Sequence, residues 1–150
     1  MWADNLLCVV VYEHSTERCL HIVRNHGLEQ PFAAVSWTWQ ASHHESEEVG
    51  SYSVMHSDTG RIEKSAVRDC VLDRIIRYLA SHENPKLFWI DQVCIDQNNE
   101  EVKTMAMNSM DLVYRKAKKS LALLSTPIES VEERNLMIRI MDKDPKPLSL

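Results

Sequence analysis

The chain has 150 residues, 44% of them hydrophobic and 26% charged, with a formal net charge of −5. That length suits one domain with its own core, and the acidic balance argues against a nucleic-acid binder, whose phosphate contacts need clustered Lys and Arg. With only Gly27, Gly50 and Gly60 available, the chain carries no glycine-rich phosphate loop.

Leu6–Tyr12 and Cys19–Val23 are β-rich runs separated by polar residues, a pattern that predicts an N-terminal β-hairpin. The first run is too short to span a membrane and no basic segment precedes it. Cys8, Cys19, Cys70 and Cys94 form no Cys-x-x-Cys pair and sit among apolar neighbours, the setting of buried free thiols. A disulfide between Cys8 and Cys19 across the hairpin is the alternative. Free thiols imply a reducing, cytoplasmic location.

Phe32-Ala-Ala-Val-Ser-Trp-Thr-Trp39 follows Pro31 and reads as a buried third strand. Ala41–Ser57 is polar and reads as a surface loop entering a small hairpin turned at Asp58-Thr59-Gly60. From Ser65 to His82, apolar residues recur at Val67, Val71, Ile75 and Leu79, while Arg68, Asp69, Asp73, Arg74 and Arg77 fall opposite them. This is the period of an amphipathic helix with a solvated charged face, and Asn84-Pro85 ends it.

Leu87–Ile95 reads as the central strand. A helix is expected from about Glu100 to Ala117, with Val102, Met105, Ala106, Met110, Val113 and Tyr114 on its apolar face. Its acidic start and basic end suit the macrodipole. Ser120–Ser125 follows as a strand, Ile128–Met141 as a last helix, and Lys143–Leu150 as a frayed tail. The alternation from Phe32 onward indicates an α/β layered fold with a mostly parallel sheet flanked by helices, and residues 1–150 read as a single domain.

Candidate chemistry concentrates at the end of the central strand. Asp91 interrupts an apolar run, and a buried carboxylate costs several kcal/mol unless it is hydrogen-bonded or paired. It either faces a ligand crevice beside Ser36, because ligands bind at the carboxyl ends of strands in open α/β sheets, or accepts N–H groups that fix the strand ends. Asp96 and Gln97 either line the same crevice or form a polar turn. Glu101 could pass for a catalytic glutamate, but Asn98-x-x-Glu101 is also a capping-box pattern. Trp37 and Trp39 share one strand face and read as core or a partner surface before a base-stacking platform. His43, His44, Glu45, Glu47 and Glu48 have no spacing that closes a metal site and read as a solvated loop. The Met105, Met107 and Met110 group reads as core and helix-packing surface.

Three segments carry a family resemblance. Phe32-Ala-Ala-Val-Ser-Trp-Thr-Trp39, Trp89-Ile-Asp-Gln-Val-Cys-Ile-Asp-Gln97 and Met110-Asp-Leu-Val-Tyr-Arg-Lys-Ala117 resemble, in order, three motifs of the fungal heterokaryon-incompatibility (HET) domain. Gln40, Trp37 and Asp96 stand where that family has Gly, Tyr and Asn, and its Arg-x-Trp-x-x-Gln-Glu segment is absent. The resemblance implies a three-layer TIR- or flavodoxin-like fold and a role in programmed cell death after nonself recognition, exercised through self-association or a protein partner. It also implies an alternative, a TIR-like NAD glycohydrolase with NAD as substrate and a crevice built from Ser36, Trp37, Asp91, Asp96 and Gln97. There Asp91 or Glu101 would replace the glutamate of the missing segment. No nucleic acid, metal or membrane-spanning segment is expected.

Overall fold

The structure, a computed structural model, describes Trp2, Asn5–Val10 and residues 18–141. The expected tail Lys143–Leu150 and the hairpin connection lie outside the described residues. Strands β1 (Asn5–Val10) and β2 (Cys19–His26) pair antiparallel from Asn5↔His26 to Val10↔His21, as the two β-rich runs predict. The Asp58-Thr59-Gly60 turn joins β4 (Ser53–His56) to β5 (Ile62–Lys64) as an antiparallel pair. Gly60 holds φ +70° there, a left-handed conformation that glycine adopts without steric cost.

The described strands make one sheet in the order β5-β4-β2-β1-β6-β3-β7, with β3 at Phe32–Ser36, β6 at Leu87–Ile90 and β7 at Lys119–Ala122. The expectation of a mostly parallel sheet is corrected to a mixed one. β2–β4, β3–β6 and β3–β7 are parallel, whereas β1 runs antiparallel to both its neighbours, β2 and β6. The N-terminal hairpin therefore inserts beside the parallel β6-β3-β7 unit and extends the sheet.

Helices cover both faces of that unit, and β3 and β6 are buried throughout except at Ser36. Helix α1 (Asp69–Ala80) buries Val71, Leu72, Ile75 and Leu79, the stripe that the sequence spacing gives. Its Tyr78 ring lies under the Lys119 ammonium at 5.6 Å. Helix α3 (Glu100–Lys116) packs the edge of Tyr114 against Trp89, with centroids 6.0 Å apart. Lys119 is in register with Ala33 and Phe88, and Ser120 with Ala34 and Trp89. Alternate residues point to opposite faces, so α1 covers the Ala33 row and α3 the Ala34 row.

Several boundaries move. The central strand stops at Ile90, and Asp91–Cys94 form one helical turn, α2, closed by Ile95 N–H donating to the Asp91 carbonyl at 3.1 Å. β3 stops at Ser36, so Trp37 and Trp39 lie beyond it. The cap of α3 is Asn99, whose side chain accepts the Val102 N–H at 3.2 Å, one residue later than expected. Ala106 and Val113 are buried on α3, but Met105 and Met107 are 42% and 71% exposed and do not join the core. The last helix, α4, starts at Val131. Arg68 and Asp69, assigned to the solvated face of α1, are only 5% and 6% exposed.

Candidate functional site

Asp91 lies where β6 ends, beside the end of β3, and its carboxylate is surrounded by donors. Trp37 Nε1 donates to one oxygen at 2.9 Å and Trp39 Nε1 to the other at 3.2 Å. Gln92 N–H adds a third bond at 2.7 Å. The chain takes this path because leaving β3 at Ser36 frees Trp37–Trp39 to fold over the strand ends. The indole rings then stack, centroids 5.9 Å apart and planes 22° from parallel, with both N–H groups on the same acid. The Asp91 carbonyl is also engaged, by Gln97 Nε2 at 3.1 Å.

Arg68, the residue before α1, clamps the same segment from the other side. Its guanidinium donates to the Trp39 carbonyl at 2.7 Å and the Thr38 carbonyl at 2.9 Å. It meets Glu45 at 3.3 Å, with 6% and 9% of the two side chains exposed, and its carbon lies 5.5 Å from the Trp37 ring centroid. A planar fork can serve two carbonyls, a carboxylate and an aromatic face together, which an ammonium cannot. Burial pushes the Glu45 carboxyl up, but the Ser42 N–H and the Arg68 and Arg74 guanidiniums outweigh it and hold the pKa below its ordinary value. Under the cluster the Tyr114 hydroxyl donates to the Val35 carbonyl at 3.0 Å. Burial and the Asp91 charge hold that phenol above its ordinary pKa, against the opposing effect of Ser36.

Nucleophilic chemistry has little support nearby. Burial pushes the Cys94 thiol well up, and the Cys8 thiol to about 12, so neither is a thiolate at neutral pH. The cysteines are free, with no Cys8–Cys19 bridge. Among the described residues no three His, Cys, Asp or Glu side chains are grouped to hold a metal ion, and no helix is long and apolar enough to cross a membrane.

The sequence candidates separate. Ser36, Trp37 and Asp91 come together at the strand ends. Asp96 is exposed and accepts the Asn98 N–H at 3.0 Å in a turn. With Gln97 it borders a different cavity, of about 360 Å³, that reaches Lys64 and Leu7. Gln97 also donates to the Ile95 carbonyl at 3.3 Å, bracing the α2 turn. Glu101 is exposed in the first turn of α3. Arg68 and Glu45 were missed as members of the cluster. One signal was available: an arginine at the start of a helix opposes the macrodipole and needs a specific partner.

A family model, Heterokaryon incompatibility protein (HET), matches residues 32–147. No curated protein and no solved structure matches the chain. The matched span begins at Phe32, the first residue of β3, and takes in Trp37, Trp39, Glu45, Arg68 and Asp91. By that match over most of its length, the chain belongs to the heterokaryon incompatibility family.

Proposed function

We propose that this domain is a signalling module of nonself recognition and programmed cell death, acting in the cytoplasm by docking a protein partner or by self-association. Family membership supplies the heterokaryon-incompatibility role. The observation that carries the rest is the near-complete pairing of the strand-end cluster, in which the buried Arg68 Nε alone lacks a partner among the described residues. Asp91 is held by three N–H donors and Arg68 by two carbonyls and a carboxylate. A carboxylate already matched by fixed donors is poorly placed to receive a substrate proton or charge. The cluster instead fixes the Trp37–Glu45 segment as a shaped surface, which is what a docking module needs. Expression of the chain in fungal filaments tests this: cell death is expected. A strictly monomeric protein that kills no cell and retains no partner in pull-downs would overturn it.

One observation favours a second reading. Ser36, Trp37 and Asp91 converge at the carboxyl ends of parallel strands, and Glu45, the ion-pair partner of Arg68, borders an open cavity of about 660 Å³. A TIR-like NAD glycohydrolase would place its substrate at these strand ends, with Asp91 stabilising oxocarbenium charge. Glu101, the other carboxylate considered for that work, stands on an exposed helix turn. Release of free nicotinamide from NAD decides between the readings. Product above background that Asp91→Ala abolishes would favour the enzyme.

A further inference from the structure

The two edges of the sheet are finished differently. β5 is three exposed residues long, and its Glu63 pairs with His56 at 3.0 Å and with Arg61 at 3.6 Å. Short length and dense charge are the usual means of blunting an edge. At the other edge, β3 is the one strand partner of β7 among the described residues. The ammonium of its one charged residue, Lys119, turns back over Tyr78, while Ser120 and Ala122 are small and exposed.

A groove follows this edge in two joined parts. A space of about 690 Å³ opens between α1 and β7, over Tyr78, Leu121 and Leu123. A second, of about 660 Å³, runs past the strand end to Leu124 and Ile128. Arg74 and Ala122 line both, so the two adjoin at these residues. Tyr78, Leu124 and Ile128 are 36%, 38% and 45% exposed. In the α1–β7 part the charged lining consists of Arg74 and Arg77, with no carboxylate, in a chain whose net charge is −5. The Arg74 side chain is fixed by donating to the Leu124 carbonyl at 3.2 Å, and Arg77 is exposed.

We propose that this groove docks an extended acidic segment of a partner protein, which adds to β7 as a further strand. Main-chain hydrogen bonds to an open edge provide affinity, and alternate side chains provide specificity. Carboxylates on the side of the segment that faces α1 meet Arg74 and Arg77, and apolar residues past the strand end cover Leu124 and Ile128. A second copy is the wrong occupant, because pairing β7 with its own counterpart would set Arg74, Arg77 and Lys118 against themselves. This inference rests on the partner-docking reading above and gives the partner its chemistry.

The test uses the full chain and three blocked, fluorescein-labelled nine-residue peptides, followed by anisotropy. One alternates Val with Glu, one alternates Val with Lys, and one is the acidic peptide with alternate amides N-methylated. The acidic peptide should bind at least about tenfold tighter than the lysine peptide, and N-methylation should abolish binding. Arg77→Glu should weaken acidic-peptide binding about tenfold, a change of about 1.4 kcal/mol, with its melting curve unaltered. Arg77→Lys should retain most of the affinity, and Lys103→Glu on α3 should change nothing. Equal binding of acidic and basic peptides, no binding up to millimolar concentration, or a silent Arg77→Glu would overturn the proposal. So would a dimer by light scattering that Arg77→Glu disrupts, which would give the edge to a second copy. Peptide binding without cell death would remove the signalling reading and leave the groove standing. Cell death without peptide binding would do the reverse.

Discussion

The strand-end cluster and the β7 flank lie on the same parallel unit, yet their polar and apolar groups end in opposite ways. Around Asp91 the charges face inward onto fixed partners: two indoles and an amide on the acid, two carbonyls and Glu45 on Arg68. Along β7 the guanidiniums of Arg74 and Arg77 and the side chains of Tyr78, Leu124 and Ile128 reach solvent. A buried polar network costs free energy wherever it is incomplete, so a nearly complete one is best explained by the shape it maintains. An open flank loses nothing by waiting for a partner. The cluster holds the scaffold, and the flank is where recognition can be added.

If that division holds, the largest losses of stability belong to the cluster. Arg68→Ala removes one partner of a buried ion pair, leaving Glu45 with only the Ser42 N–H as donor and the Thr38 and Trp39 carbonyls without the guanidinium. This costs about 3–5 kcal/mol out of a total that is typically 5–15 kcal/mol. Thermal melts should show a large drop, and Arg68→Lys should rescue only part of it because an ammonium cannot reproduce the fork. A variant that melts like the parent would mean that Arg68 is held for a ligand. Asp91→Ala should cost less, about 1–3 kcal/mol, because it strands donors and no opposite charge. Loss of cell death with an unchanged melting temperature would move Asp91 from scaffold to site.

Acid should weaken the cluster before the flank. The folded-state pKa of Glu45 lies below its ordinary value of 4.5, so its carboxylate contributes stability above that value. The contribution is lost as pH falls through the folded pKa. The melting temperature should therefore decline below about pH 4.5, with a shallower decline in Glu45→Gln. Identical acid profiles for the two proteins would remove Glu45 from the account.

Much of the fold was legible because local signals agreed with it. The apolar spacing of α1, the turn at Gly60 and the dipole-matched ends of α3 each depend on neighbours in the chain. The mixed sheet was not legible, because nothing local tells β1 to lie between β2 and β6. The extra length given to β6 has a specific cause: Val93 and Ile95 are apolar and read as strand, but Asp91 turns the chain through its own carboxylate and carbonyl. Asp91 was visible as a candidate because a carboxylate in an apolar run is costly. Arg68 was hidden because helical periodicity was applied to it. It precedes the helix as its cap residue, so the face rule for α1 does not govern its side chain.

The smallest effect is expected on the flank, and it sharpens the comparison most. Leu124 and Ile128 are apolar residues in a stretch read from sequence as strand and helix, and either assignment would have made them core. They are 38% and 45% exposed, so a polar substitution removes little buried surface. The double variant Leu124→Ser, Ile128→Ser should change stability by no more than about 0.5 kcal/mol per site, read by denaturant unfolding. It should also weaken binding of the Val/Glu peptide, because the apolar half of that contact is gone. A variant that unfolds early would show that this flank is packed in solution. Peptide docking would then be confined to the α1–β7 part of the groove, under Arg77.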